Sequence, residues 1–118
     1  GYDGPIKSES EISIIYGSYG WPKGVTINIQ SVDGVNVRQS SGIAPVKVYL
    51  EPGRRSIGLG VQLTNHSGFP KIVYDFKAGR KYQVYYELEE KDEHNNIKYK
   101  YWIEDMGEDY TPPKHIFL

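Results

Sequence analysis

The sequence predicts an all-β protein, an antiparallel β-sandwich of about seven strands. Three observations carry this. Apolar and polar residues alternate in seven short segments, turn-forming pairs stand between them, and no stretch shows a helical period. A period of two buries one face of a strand and leaves the other to water.

The first segment alternates Ile12, Ile14 and Tyr16. The second sets Val25, Ile27 and Ile29 against Thr26, Asn28 and Gln30. Val46, Val48 and Leu50 mark the third, and Ile57, Leu59, Val61 and Leu63 the fourth. Ile72, Tyr74 and Phe76 form the fifth. The sixth carries Tyr82, Val84, Tyr86 and Leu88, the seventh Ile97, Tyr99, Tyr101 and Ile103.

The turns have their own chemistry. Asp33-Gly34 between two valines signals a type I′ hairpin, which needs positive φ at both positions. Pro52-Gly53 suits a type II turn, because proline fixes φ and glycine accepts the left-handed region, so residues 46–63 read as a hairpin about this hinge. Ala78-Gly79 reads the same way. Residues 65–68 read as a loop, and 87–95 (ELEEKDEHN), with a single apolar residue, as a charged hairpin loop. Residues 1–10 form a polar lead-in, 11–105 the folded domain, and 106–118 a tail. Pro112-Pro113 bars that tail from a central strand, and its apolar end, Ile116-Phe117-Leu118, either packs back on the body or dangles.

Composition excludes several classes. The 118 residues suit one domain. A net charge of −1 gives no pull toward nucleic acid or anionic lipid. With no Cys there is no disulfide framework, zinc finger or thiol nucleophile. No run approaches the ~18 apolar residues of a membrane helix. The start at Gly1 rather than Met reads as a cleavage scar, which leaves room for a signal or lipid-anchor segment ahead of it. Tyrosine dominates the aromatics, 11 Tyr beside 3 Phe and 2 Trp. Tyrosine suits half-buried pleated surfaces and binding faces.

Within residues 25–76, VTINIQSVDG, SGIAPVKVYLEPGRRSIGL with its Gly-x-x-Pro and Pro-Gly steps, and SGFPKIVYDF together resemble the PEGA-type module of bacterial envelope proteins. The chain departs from that short module by the stretch DGVNVRQSSG and by two further strands after Phe76. The resemblance implies a β-sandwich in the immunoglobulin-like or transthyretin-like style and an extracytoplasmic setting, in the bacterial cell envelope or secreted. It also implies binding or structural work without a catalytic centre, within a surface lipoprotein.

No catalytic motif stands out. There is no Gly-x-Ser-x-Gly elbow, and Glu87 and Glu104 occupy positions expected to face water. His66, His94 and His115 have no ligand-like spacing and read as loop surface residues, so neither metal nor cofactor is expected. Asn65-His66-Ser67 is a glycosylation sequon, used only on a eukaryotic secretory route. Arg54 and Arg55 alternate in direction on a strand end, so they do not form one basic pair.

Contact residues are the better candidates. Tyr19 and Trp21 lie in the glycine-rich stretch 17–24 and could stack on a sugar or peptide; as structure, Trp21 would instead cap the open end of the sandwich. Tyr49, Val73, Tyr85 and Trp102 fall on outward positions. If their strands are neighbours they form an aromatic ladder, either a partner surface or a face covered by the tail. The expected work is recognition or scaffolding, with an unknown protein or glycan partner; the other reading is a carbohydrate-binding module. The expected state is a monomer or weak dimer, tied to a membrane only through a removed lipid anchor.

Overall fold

A computed structural model describes residues 10–19, 24–37, 45–63, 66–94 and 97–112. Among these the chain is all-β, in ten strands: β1 (Ser13–Tyr16), β2 (Ser18–Tyr19), β3 (Thr26–Val32), β4 (Val35–Asn36), β5 (Lys47–Leu50), β6 (Gly53–Leu63), β7 (His66–Gly68), β8 (Lys71–Phe76), β9 (Lys81–Lys91) and β10 (Ile97–Gly107). No helix among them is long and apolar enough to cross a membrane. All seven alternating segments are strands. They divide between sheet A, ordered β10-β9-β1-β5, and sheet B, ordered β2-β3-β6-β7 with β4 on β3 and β8 on β6.

The apolar rows of the two sheets meet in one core. Ile15, Val48, Leu50, Tyr82, Val84 and Ile103 come from sheet A, and Ile27, Ile29, Ile57, Leu59, Val61 and Phe76 from sheet B. Two hydroxyls close the edge of this core where the chain passes from β8 to β9. Ser13 Oγ donates to the Lys77 carbonyl at 2.7 Å, and Tyr82 Oη accepts the Lys77 amide at 2.8 Å. A backbone turn that would otherwise bury unpaired polar groups is thereby satisfied.

Several expectations need correction. The sheets are not wholly antiparallel, since β1 runs parallel to β9 through Ile14↔Lys81, Ile15↔Tyr82 and Tyr16↔Gln83. A parallel pair needs a long connection, and here seven strands, β2 to β8, intervene. Pro52-Gly53 is not a hairpin hinge. Gly53 does take positive φ, 121°, yet β5 pairs β1 in sheet A while β6 pairs β3, β7 and β8 in sheet B. The turn carries the chain between sheets. Ala78-Gly79 likewise links sheet B to sheet A. By contrast, Asp33 (φ 51°) and Gly34 (φ 80°) make the two-residue hairpin between β3 and β4 with the left-handed pair a type I′ turn needs.

Two stretches read as loops are strands. His66–Gly68 pairs with the end of β6 as Leu63↔His66 and Val61↔Gly68. Residues 87–91 continue β9, which pairs with β10 as far as Lys91↔Ile97. Their charges sit on a projecting hairpin arm, where Lys100 meets Glu87 at 3.3 Å across the strands. Leu88, read as core, is 51% exposed on this arm.

Arg55 and Arg54 part as expected, and Arg55 has a structural task. Its guanidinium donates to the carbonyls of Glu51 and Pro52 and pairs with Asp33 at 3.1 Å. Asp33 also accepts the Ser56 amide at 2.9 Å. That amide, then Arg55, holds the Asp33 carboxyl below its ordinary range. The inter-sheet turn is thus clamped to the β3–β4 hairpin.

Candidate functional site

The outward faces of the two sheets differ in chemistry. On sheet B, Gly58 and Gly60 lie under the polar side chains of Ser31, Asn28 and Gln30, where a Cβ would collide. Gln30 donates to Asn28 at 2.8 Å in this layer. Val73 stands 52% exposed among Arg54, Ser56, Lys71 and Asp75. Among the described residues nothing on this surface gathers into a site.

Sheet A carries an aromatic band. Trp102 on β10 is directly opposite Tyr85 on β9, their centroids 5.9 Å apart and planes 23° from parallel. Tyr16 on β1 and Tyr49 on β5 continue the face across the sheet. Lys47 Nζ lies 4.9 Å from the Tyr49 ring and 5.8 Å from that of Tyr16, and Lys100 Nζ lies 5.5 Å from Trp102. Ammonium groups over ring faces stabilise both partners while keeping the charge in water.

The start of the tail crosses this face. Tyr110 packs edge-on against Tyr16 at 5.9 Å and donates its hydroxyl to Gln83 Oε1 at 2.7 Å. Gln83 is only 4% exposed although it points away from the main core. Its amide group donates to the Tyr16, Gly17 and Val84 carbonyls, at 3.3, 2.9 and 3.2 Å. Ile14, 2% exposed, shares this side, while Ile15 fills the inter-sheet core. Residues Ser13–Tyr16 therefore bury both faces, and reading Ile12, Ile14 and Tyr16 as a single core row put Ile14 and Tyr16 on the wrong side.

Burial, and then the neighbouring Tyr85 and Tyr16 phenols, push the Tyr110 hydroxyl up to about 12. A phenol raised above its ordinary value of ~10 stabilises the fold below pH 10, and that contribution fades as pH rises toward 12. Tyr110→Phe is expected to lower stability by about 1 kcal/mol near neutral pH, by leaving a buried Gln83 oxygen without its donor. It should also reduce the loss of stability above pH 10, to which the Tyr74, Tyr82, Tyr86 and Tyr101 phenols, likewise raised by burial, contribute the rest. Urea unfolding of both proteins across that range measures each effect.

The sequence candidates thus separate. Tyr85 and Trp102 are neighbours, Tyr49 belongs to the same face two strands away, and Val73 stands on the other sheet. Trp21 and the Tyr19 side chain lie outside the described residues, as do His115 and Asn65. Tyr16, Lys47, Gln83 and Tyr110 were not singled out by sequence reasoning. The adjacent Ile14 and Ile15 are the signal that both faces of β1 are covered.

The ionisable residues do not gather. His66 lies in a strand, not a loop, with its ring 5.1 Å from that of Tyr99, and exposed His94 approaches Glu93 at 3.7 Å. Asp105 is engaged by Arg80 at 2.6 Å and by the Gly107 amide at 2.9 Å. Partial burial raises the Asp105 carboxyl, but these two donors outweigh it and hold the group below its ordinary range. Among the described residues no three His, Asp or Glu side chains converge to hold a metal ion.

No protein-family model, curated protein or solved structure matches the chain.

Proposed function

We propose that the chain is a non-enzymatic recognition or scaffolding domain, and that the outer face of sheet A is its contact surface. In this reading it is an extracytoplasmic β-sandwich of immunoglobulin-like or transthyretin-like style, part of a bacterial envelope or surface lipoprotein. The compartment and the family rest on the PEGA-like stretches within 25–76. The contact role rests on one observation, the band of Tyr49, Tyr16, Tyr85 and Trp102 gathered on one face of sheet A. Aromatic residues contribute much of the energy at contact surfaces, for little conformational cost.

The near-parallel Tyr85–Trp102 pair favours a second reading, a carbohydrate-binding module, because flat rings stack on the apolar faces of sugars. A glycan array with the native protein and Trp102→Ala tests it. Glycan signals that fall at least about tenfold in the variant support sugar binding. A featureless array removes the sugar reading and leaves a protein partner.

A further inference from the structure

We propose that β10 pairs edge to edge with β10 of a second copy, joining two sheets A into one. β10 is an end strand of its sheet, paired among the described residues with β9 alone, and it is eleven residues long. An end strand of this length offers a row of unpaired backbone groups as a template for another strand.

The register can be derived. The first irregularity of the β9–β10 ladder bulges Glu89 on β9, and the second bulges Met106 on β10. Residues 97–105 of β10 therefore alternate without interruption, and their midpoint is Tyr101. Antiparallel pairing of this span with itself about Tyr101 sets Lys98 against Glu104 of the second copy and Lys100 against Trp102. On the core side it sets Tyr99 against Ile103, and Tyr101 against its own counterpart. Every ion pair and cation–π pair occurs twice by the two-fold symmetry.

The charge pattern selects this arrangement. Lys98, Lys100 and Glu104 are exposed on the same face, basic at one end of the strand and acidic at the other. Antiparallel self-pairing is the arrangement that brings opposite signs together. Sliding by two residues in one direction would place Lys100 on Lys100, a like-charge contact, and in the other would pair Lys100 with Glu104 but set Lys98 against Met106 and give up both cation–π pairs. Sliding by one would turn apolar residues toward water. Glu104 makes no ion pair among the described residues, whereas Lys98 and Lys100 reach Glu89 at 4.0 Å and Glu87 at 3.3 Å. The joined sheets would carry two aromatic bands side by side, and the pairing stands whether or not those bands take a ligand.

Sedimentation at low salt tests the pairing with the native chain, Glu104→Lys and the swap Lys98→Glu/Glu104→Lys, each checked for native circular dichroism. The expected result is a concentration-dependent dimer. Glu104→Lys should weaken it about tenfold, by turning both ion pairs into repulsions, and the swap should recover most of that loss. Val73→Ser, on the outer face of sheet B, should leave it unchanged. A native monomer up to about 1 mM would overturn the proposal. So would a dimer indifferent to Glu104→Lys, one that the swap fails to rescue, or one abolished by Val73→Ser.

Discussion

Phe76→Ala is expected to cost about 3–5 kcal/mol, the range for a buried aromatic cut to a methyl. Phe76 is 1% exposed at the end of β8, where its ring meets Tyr74 at 5.1 Å and Tyr82 at 4.9 Å. Tyr82 is fixed from the other side by the Lys77 amide, so the cavity cannot close by moving that ring without breaking the hydrogen bond. Domains of this size have about 5–15 kcal/mol in total. The variant should therefore melt roughly 10–20 °C below the native protein in calorimetry. A fall of only a degree or two would mean that sheets A and B do not share the core described above.

Gly17→Ala is expected to be nearly as damaging, although it adds only one carbon. Gly17 lies between β1 in sheet A and β2 in sheet B, at the point where the chain changes sheet. Its amide donates to the Val46 carbonyl at 2.8 Å, and its carbonyl accepts from Gln83. A Cβ here would fall on the carbonyl of Ile27, which is strand backbone and cannot rotate away. Strand-switching corners of this kind depend on close backbone approach. A loss of about 2–3 kcal/mol in urea unfolding is the expected size for an overpacked site. The neighbouring Ser18→Ala, free of that contact, should be close to neutral.

The strands were legible because period-two alternation is a local property. Ile57, Leu59, Val61 and Leu63 announce one buried face whatever lies opposite. Their partners were not legible. Leu50 and Ile57 look like the arms of one hairpin around Pro52-Gly53, because nothing local distinguishes a hairpin from a crossover between layers. That distinction resides in the long-range pairs β1–β5 and β3–β6. The parallel β1–β9 pair is longer-range still. The β9 arm was missed for another reason: Glu87, Glu89, Glu90 and Lys91 project past the body, and both faces there meet water, so the alternation disappears.

The aromatic face of sheet A was legible in part. Tyr85 and Trp102 could be read as outward because their strands alternate cleanly. Tyr16 could not, since Ser13–Tyr16 is apolar on both faces and its parity is ambiguous. Tyr110 was hidden in a segment without periodicity. Its role depends on Gln83, a polar residue that is buried only because the tail returns over it.

The role of sheet A's outer face is tested most directly by photo-crosslinking in the cells that make the protein. A benzophenone side chain at Tyr49, 37% exposed at one end of the band, is compared with the same group at Val73, 52% exposed on the outer face of sheet B. The expected result is a discrete adduct from position 49 that weakens when Trp102→Ala is added, with no counterpart from position 73. Adducts of equal yield from both positions, or from position 73 alone, would contradict recognition through the aromatic face.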